Sequence, residues 1–355
     1  MKIIHCGDIH LDSRMESNLP AAKARERNAE ICATFVRMVA FAAEKGVKVV
    51  LMAGDLFDTD KVSAQTVNLV LDQITQHPDI DFLNLRGNHD ASAFAGMEVP
   101  DNLKTFGSQW KHYAYGNIVI SGIEPERENW EQFYDSLDLP EDKTNIVMLH
   151  GQTGTQSGEK IIALPKLKGR NIDYLALGHI HSCQGGKLDD RGFWSYCGCL
   201  EGRGFDECGE KGFILLDVQE GGIKTEFVPF ARRTLHEVPV DITGLTTVTQ
   251  ILGEMESAVR KMDGKDLVKF TLTGGYTPET QKDLRFLQKM LEEKFYFVKI
   301  KDESRLAIEK ESYEHDASLK GEFIRLVMAS GRSEEEKERI ILWGIQALSG
   351  TEVEV

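Results

Sequence analysis

The chain has 355 residues, 41% of them hydrophobic and 28% charged, the balance of an ordinary globular protein with material for a sizeable core. No apolar run approaches the roughly 18 residues a membrane span needs, and Asp8 and His10 stand where the apolar part of a signal peptide would fall. A net charge of -15 argues against a passive nucleic-acid binder, which is usually basic, but not against an enzyme whose metal ions supply local positive charge.

In chain order, residues 1 to about 231 alternate short β-rich runs with helical stretches. Lys2–Cys6, Val47–Met52, Asp81–Leu85, Asn117–Ser121, Asn145–Leu149 and Tyr174–Leu177 read as buried strands. Ile31, Phe35, Met38, Val39 and Ala42 have the spacing of a helix over Ala21–Lys45. This alternation predicts a layered α/β domain. Gly192–Tyr196, Gly212–Val218 and Lys224–Phe230 have β character with Gly-rich turns, and are expected to form a second sheet packed on the first. Residues 232 to about 318 change character. Strand-like Leu235–Ile242, Leu267–Thr273 and Phe295–Ile300 alternate with helical Val248–Lys261 and Glu279–Glu293, the latter opened by Pro278. This predicts a small α+β capping domain. Residues 319–355 read as a C-terminal helical segment, Leu319–Ala329 and Glu334–Leu348, with a Ser333–Glu336 capping box and Gly350 after the end.

The strand ends repeat one chemistry. Gly7-Asp8-Ile9-His10 follows the first run, Gly54-Asp55-Leu56-Phe57-Asp58 the second, and Gly87-Asn88-His89-Asp90 the third. His150-Gly151 follows the fifth and Gly178-His179-Ile180-His181 the sixth. A single such motif is an ordinary turn, since Gly and Asp are common where a strand gives way to a loop. Five of them at strand ends, where open α/β sheets place ligands, point to a site. Asp8, His10, Asp55, Asn88, His150, His179 and His181 offer too many oxygen and nitrogen donors for one ordinary ion, and suit two ions sharing a carboxylate. The mixture of imidazole, carboxylate and amide favours Mn, with Fe or Zn as alternatives, over Ca.

These motifs, DxH, GDxxD, GNHD, a lone His-Gly and GHxH in this order, resemble the calcineurin-like metallophosphoesterase superfamily. Within it, GDLFD, GHIHS, the small domain and the helical tail resemble the SbcD family of DNA repair nucleases. The resemblance implies a two-sheet metallophosphoesterase sandwich flanked by helices. Asp8, His10, Asp55 and His181 would hold one metal, and Asp55, Asn88, His150 and His179 the other, with Asp55 bridging. A shared hydroxide would attack phosphorus, its pKa lowered by the ions. His89 would steady the phosphoryl oxygens or protonate the leaving oxygen. Asp58 would orient His89 as an Asp58–His89 pair, the rival being an ordinary helix N-cap. Arg203, in the Gly-rich turn Cys197–Phe205, would contact phosphate or form a surface salt bridge.

The resemblance also implies DNA as substrate, with the small domain restricting which strand reaches the metals, and an SbcC-type ATPase docked on the C-terminal helices. A homodimer is compatible with it, and no membrane is involved. The rivals are a nucleotide or other small phosphoester as substrate, for which Phe57, Trp110 and Tyr113 would close the groove beside His89, and a non-catalytic scaffold. Elsewhere, His5 reads as a packed core histidine. Asp12, Arg14, Arg25 and Arg27 read as a solvated helix face, with substrate-backbone contact as the alternative. Cys6, Cys32, Cys183, Cys197, Cys199 and Cys208 read as reduced thiols of a cytoplasmic protein, with a metal at the Cys197–Cys199 pair as the lesser alternative.

Overall fold

The computed structural model describes residues 1–15, 19–59, 61–88, 94, 96–124, 130, 132–156, 158, 160–277, 280–307 and 315–348. The chain divides into two compact units, Met1–Thr234 and Leu235–Val355. In the first, the order is β1 (Lys2–Cys6), α1 (Ala21–Glu44), β2 (Val49–Ala53), α2 (Ala64–Gln76), β3 (Asp81–Leu85), β4 (Leu103–Thr105), β5 (Lys111–Tyr115), β6 (Ile118–Gly122), β7 (Thr144–His150), β8 (Gln152–Gly154), β9 (Ile161–Ala163), α3 (Leu164–Leu167), β10 (Tyr174–Gly178), β11 (Gln184–Lys187), β12 (Phe193–Tyr196), β13 (Gly212–Gln219) and β14 (Gly222–Pro229).

Two six-stranded sheets result, ordered β14-β13-β1-β2-β3-β4 and β11-β12-β10-β7-β6-β5. In the first, β1 to β4 are parallel; in the second, β6, β7, β10 and β12 are. β2 and β10 are buried along their whole length, which is why both read as unbroken apolar runs. The core between the sheets joins Ile3, Leu51 and Leu83 of the first to Ile120, Ile146 and Met148 of the second. Helix α1 turns Ala24, Arg27, Ile31, Phe35, Met38 and Ala42 inward at three- and four-residue spacing. Ser63 caps α2, its side chain accepting from the Thr66 amide at 3.2 Å.

The expected second sheet differs from the observed one. β13 and β14 complete the first sheet, β13 running antiparallel to β1 with His5 opposite Ile214, while β12 joins the second. Alternation marked these segments as strands, but pairing between residues some 200 apart leaves no local trace in the sequence.

The second unit comprises β15 (Leu235–Asp241), α4 (Val248–Ala258), β16 (Leu267–Thr273), β17 (Gly275–Tyr276), α5 (Leu284–Glu292), β18 (Phe297–Asp302), β19 (Arg305–Leu306), α6 (Leu319–Met328) and α7 (Glu334–Leu348). β15, β16 and β18 form a parallel sheet. Ile251 and Met255 of α4 and Leu287 and Leu291 of α5 pack with Val240, Phe270 and Val298. α5 starts later than expected: Asp283, not Pro278, marks its beginning, accepting from the Phe286 amide at 2.9 Å. Pro278, Glu279 and Gly350 lie outside the described residues. Ile324 of α6 and Ile341 and Ile345 of α7 cluster with Leu306. Among the described residues, no helix is long and apolar enough to cross a membrane.

Candidate metal centre

The parallel strands of both sheets deliver the candidate ligands at their carboxyl ends. Asp8 and His10 follow β1, Asp55 and Asp58 follow β2, Asn88 follows β3, His150 ends β7, and His179 and His181 follow β10. His89 lies outside the described residues. The backbone here is unusual. Asp8, His10, Asp55 and His179 all adopt positive φ, at 47°, 50°, 51° and 105°. Non-glycine residues rarely do so, and such conformations cluster at functional sites. Two glycines explain their place in the motifs by close approach. A Cβ at Gly54 would strike the His150 imidazole, and one at Gly87 would strike the Asp55 carboxylate.

Two groups of donor atoms converge: Asp8 with His10 and His181, and Asp8 with Asp55 and His150, each within 4.8 Å. Asp8 therefore belongs to both groups. Asp55 Oδ2 stands 3.9 Å from His10 Nε2 and 3.4 Å from His150 Nε2, between the imidazoles assigned to the two ions. His10 Nε2 and His181 Nε2 approach to 3.3 Å. Asn88 Nδ2 lies 3.1 Å from His179 Nδ1, and the His179 amide donates to both Asp8 oxygens, at 2.8 and 3.0 Å.

The surroundings place an acceptor at Nδ1 of three of the four imidazoles. His10 Nδ1 is 3.0 Å from Asp58 Oδ1, His181 Nδ1 is 2.7 Å from Glu207 Oε1, and His150 Nδ1 is 2.9 Å from the Ala53 carbonyl oxygen. Glu207 and the Ala53 carbonyl accept at Nδ1 of His181 and His150, which keeps the proton there and leaves Nε2 as a lone-pair donor, and the Asp58 carboxylate beside His10 Nδ1 favours the same tautomer; metal-ligating histidines show this arrangement. These residues fit a pair of cations. Asp8 and Asp55 are 0% and 2% exposed. Burial pushes the Asp8 carboxyl up to about 6, although His150 and His181 oppose the rise. Among the described residues, the buried His150 Nε2 makes no well-aligned hydrogen bond, with the Asp55 carboxylate 3.4 Å away. Buried carboxylates and opposed imidazole lone pairs are costly unless a cation sits among them.

Several expectations are revised here. Asp58 is no helix N-cap, since Ser63 caps the next helix. Its carboxylate meets His10 Nδ1, Ser13 and Arg203 Nη1, the last at 2.6 Å, while the expected Asp58–His89 pair involves a residue outside the described ones. Arg203 lies in the loop between β12 and β13, its side chain only 15% exposed and committed to Asp58 and Glu207. Arg27 is neither solvated nor a substrate contact. It is 1% exposed and paired with Glu30 and Glu201, fastening α1 to the loop after β12. Cys197 and Cys199 are both buried, burial raises both thiols, and neither belongs to a converging group of donors among the described residues. His5 is fully buried between Tyr174 Oη, at 2.8 Å, and the Leu177 carbonyl, at 3.2 Å, and burial lowers it to about 3.

Glu207 was missed. Its spacing of four from Arg203 was the available signal, but only the fold brings it to His181. Burial pushes this carboxyl up, and His181 and Arg203 more than reverse that, holding it well below the usual carboxylate range.

Beside the centre lie two cavities. One, about 570 Å³, is lined by Arg14, Asp58, Thr59, Arg203 and Asp206 among others. The other, about 360 Å³, shares Asp12, Ser13, Arg14 and Thr59 with it and adds Arg25 and Lys61.

Residues 1–183 match the family model described as calcineurin-like phosphoesterase. The chain is 28% identical over 297 residues to "Uncharacterized metallophosphoesterase YhaO" of Bacillus subtilis, spanning 77% of this chain and 72% of that protein. It is 24% identical over 266 residues to "DNA double-strand break repair protein Mre11" of Methanopyrus kandleri, spanning 64% of this chain and 56% of that one. The like-named protein of Saccharolobus solfataricus is 26% identical over 196 residues, 51% of this chain and 50% of its own length. Among solved structures, a dimetal phosphatase from Danio rerio aligns with 65% of this chain and 99% of its own, at 10% identity and a TM-score of 0.40.

Proposed function

The chain belongs to the calcineurin-like phosphoesterase family, whose members are metal-dependent hydrolases of phosphoesters, and from that premise we propose that it cleaves the phosphodiester backbone of DNA as an SbcD-like nuclease. The observation that carries the reading is the convergence of three imidazole Nε2 atoms on the buried Asp8 and Asp55 at the ends of two sheets. Asp8, His10, Asp55 and His181 would hold one divalent ion, and Asp55, Asn88, His150 and His179 the second, with Mn the first choice and Fe or Zn able to use the same donors. When bound, the ions lower the pKa of water and neutralise charge on the phosphoryl oxygens.

The chain's own groups do the rest. Asp58, Glu207 and the Ala53 carbonyl hold the His10, His181 and His150 rings by Nδ1, so that Nε2 faces inward. Hydrolysis adds the oxygen of water to phosphorus, breaks one P–O ester bond and leaves a proton on the departing oxygen; His89 is the proposed proton source. The relatives named for double-strand break repair support DNA as the substrate. So does the second cavity, where Arg14, Arg25 and Lys61 outnumber the one acid, Asp12, since phosphate contacts by such cations position a nucleic-acid strand. The aromatic side chains that would close a small-molecule site are engaged elsewhere. Phe57 is fully buried, Trp110 Nε1 donates to the Phe133 carbonyl at 2.9 Å, and Tyr113 Oη donates to the Thr105 carbonyl at 2.7 Å. Partnership with an SbcC-type ATPase belongs to the same proposal.

The test is Mn-dependent hydrolysis by the purified chain of end-labelled duplex DNA, single-stranded DNA and a small phosphodiester, side by side, with His89→Ala as control. DNA cleavage lost in the control, with both ions still bound to the variant, is the expected result. Turnover of the small ester alone would transfer the proposal to a nucleotide-sized substrate, and full activity of His89→Ala would remove that residue from the mechanism.

A further inference from the structure

Arg203 stands between two carboxylates that serve two different imidazoles. Its Nη1 donates to Asp58 Oδ1 at 2.6 Å, and its Nη2 to Glu207 Oε1 at 2.7 Å, with Nε 3.2 Å from the same oxygen. Its own amide donates to Glu207 Oε2 at 2.7 Å, which locks the loop that carries it. Asp58 in turn meets His10 Nδ1, and Glu207 meets His181 Nδ1. The five side chains make a ring, His10–Asp58–Arg203–Glu207–His181, that closes where the two Nε2 atoms face each other at 3.3 Å.

The ring spans both sheets. His10 and Asp58 follow strands of the first, and His181 follows a strand of the second. The guanidinium therefore ties the ligands of one sheet to those of the other. Few groups could do so. A planar fork with five donors can serve two carboxylates at once, whereas an ammonium is a single point charge. The other group of donors is built differently, because His150 leans on a backbone carbonyl and needs no side chain to orient it.

We propose that Arg203 is a positioning residue for the ion held by Asp8, His10 and His181, setting the separation of the two imidazoles through Asp58 and Glu207 instead of binding substrate phosphate. The proposal rests on the two-ion reading and adds an asymmetry to it: one ion depends on this clamp and the other does not.

Equilibrium dialysis of the full chain against Mn²⁺ tests it. The wild-type protein takes up two ions. Arg203→Ala weakens one of them by about 10–100-fold, the usual cost of losing an outer partner of a metal ligand, and leaves the other unchanged. Glu207→Gln produces the same selective loss, and the double variant is no worse than the more affected single one, because both act through one ring. Two ions bound at wild-type affinity by Arg203→Ala, or equal weakening of both, overturns the proposal. If Arg203→Ala does not fold, Arg203→Lys replaces it, keeping the charge without the fork. Selective weakening there supports the clamp, and unchanged binding of both ions refutes it. A wild-type chain that takes up fewer than two ions instead defeats the two-ion reading, a result visible in that arm alone, and the clamp falls with it.

Discussion

Asp241 and Asp302 end parallel strands of the second unit, much as Asp8 and Asp55 follow parallel strands of the first. Asp241 is exposed and accepts from the Thr243 amide and hydroxyl, at 2.9 and 2.6 Å; Asp302 accepts from the Ser304 amide at 3.0 Å and pairs with Lys282 at 2.6 Å. Both carboxylates are satisfied within a turn or by a neighbouring cation. Asp8 and Asp55 are buried, set in left-handed backbone and aimed at imidazoles. The left-handed conformation costs about 1–3 kcal/mol per residue, which the surrounding packing must offset. The lesson is that a strand-end aspartate is fitted to hold a cation where it is buried and faces imidazoles, and not where a turn or a lysine satisfies it at the surface.

The comparison can be broken most directly at Asp55. Asp55→Asn should weaken both metal sites and lower kcat/KM by about 10²–10³-fold or more, the scale of removing one pre-organised charge from an active site. Tight binding of two ions by this variant, read by dialysis, would refute a bridging role.

Next in size is stability. Arg27→Ala leaves the buried Glu201 without its guanidinium partner and should cost about 3–5 kcal/mol in denaturant unfolding, the scale of breaking a buried pair from one side. Acid should act on the same network. Burial raises the Glu30 carboxyl, and the hydrogen bonds from Arg233 and Arg27 bring it below its ordinary value of 4.5. A carboxyl depressed in the folded state contributes stability that is complete above its unfolded pKa and is lost as pH falls through the folded one. The wild-type protein should therefore lose stability below about pH 4.5, and Glu30→Gln should flatten the pH dependence of its unfolding midpoint in that window. An unchanged slope would show that Glu30 titrates alike in both states. The smallest effect is expected in the second unit, where Asp241→Ala should alter neither metal stoichiometry nor the unfolding midpoint beyond experimental scatter. A lost ion there would show that the second unit contributes to the centre.

Much of the candidate centre is legible in the sequence. Asp8, His10, Asp55, Asn88, His150, His179 and His181 each sit at the end of an apolar run, and strand-end position is a local property. Asp58, Arg203 and Arg27 were readable as charged groups but not as what they do, because each also has a partner across a long stretch of chain. Asp58 reaches Arg203 145 residues away, and Arg27 reaches Glu201 174 residues away. Glu207 left only a faint sign, an acid one helical turn's spacing from an arginine in a loop that is not helical.

The sequence by itself determined the alternation of strands and helices, the donor types and the order in which they leave the strand ends, since periodicity and motif spacing are carried by near neighbours. The tertiary structure decided which strands share a sheet, which nitrogen of each imidazole faces inward, and which carboxylates meet Arg203. Those depend on pairings between segments far apart in the chain, whose free energy appears only when the two sheets close on their common core.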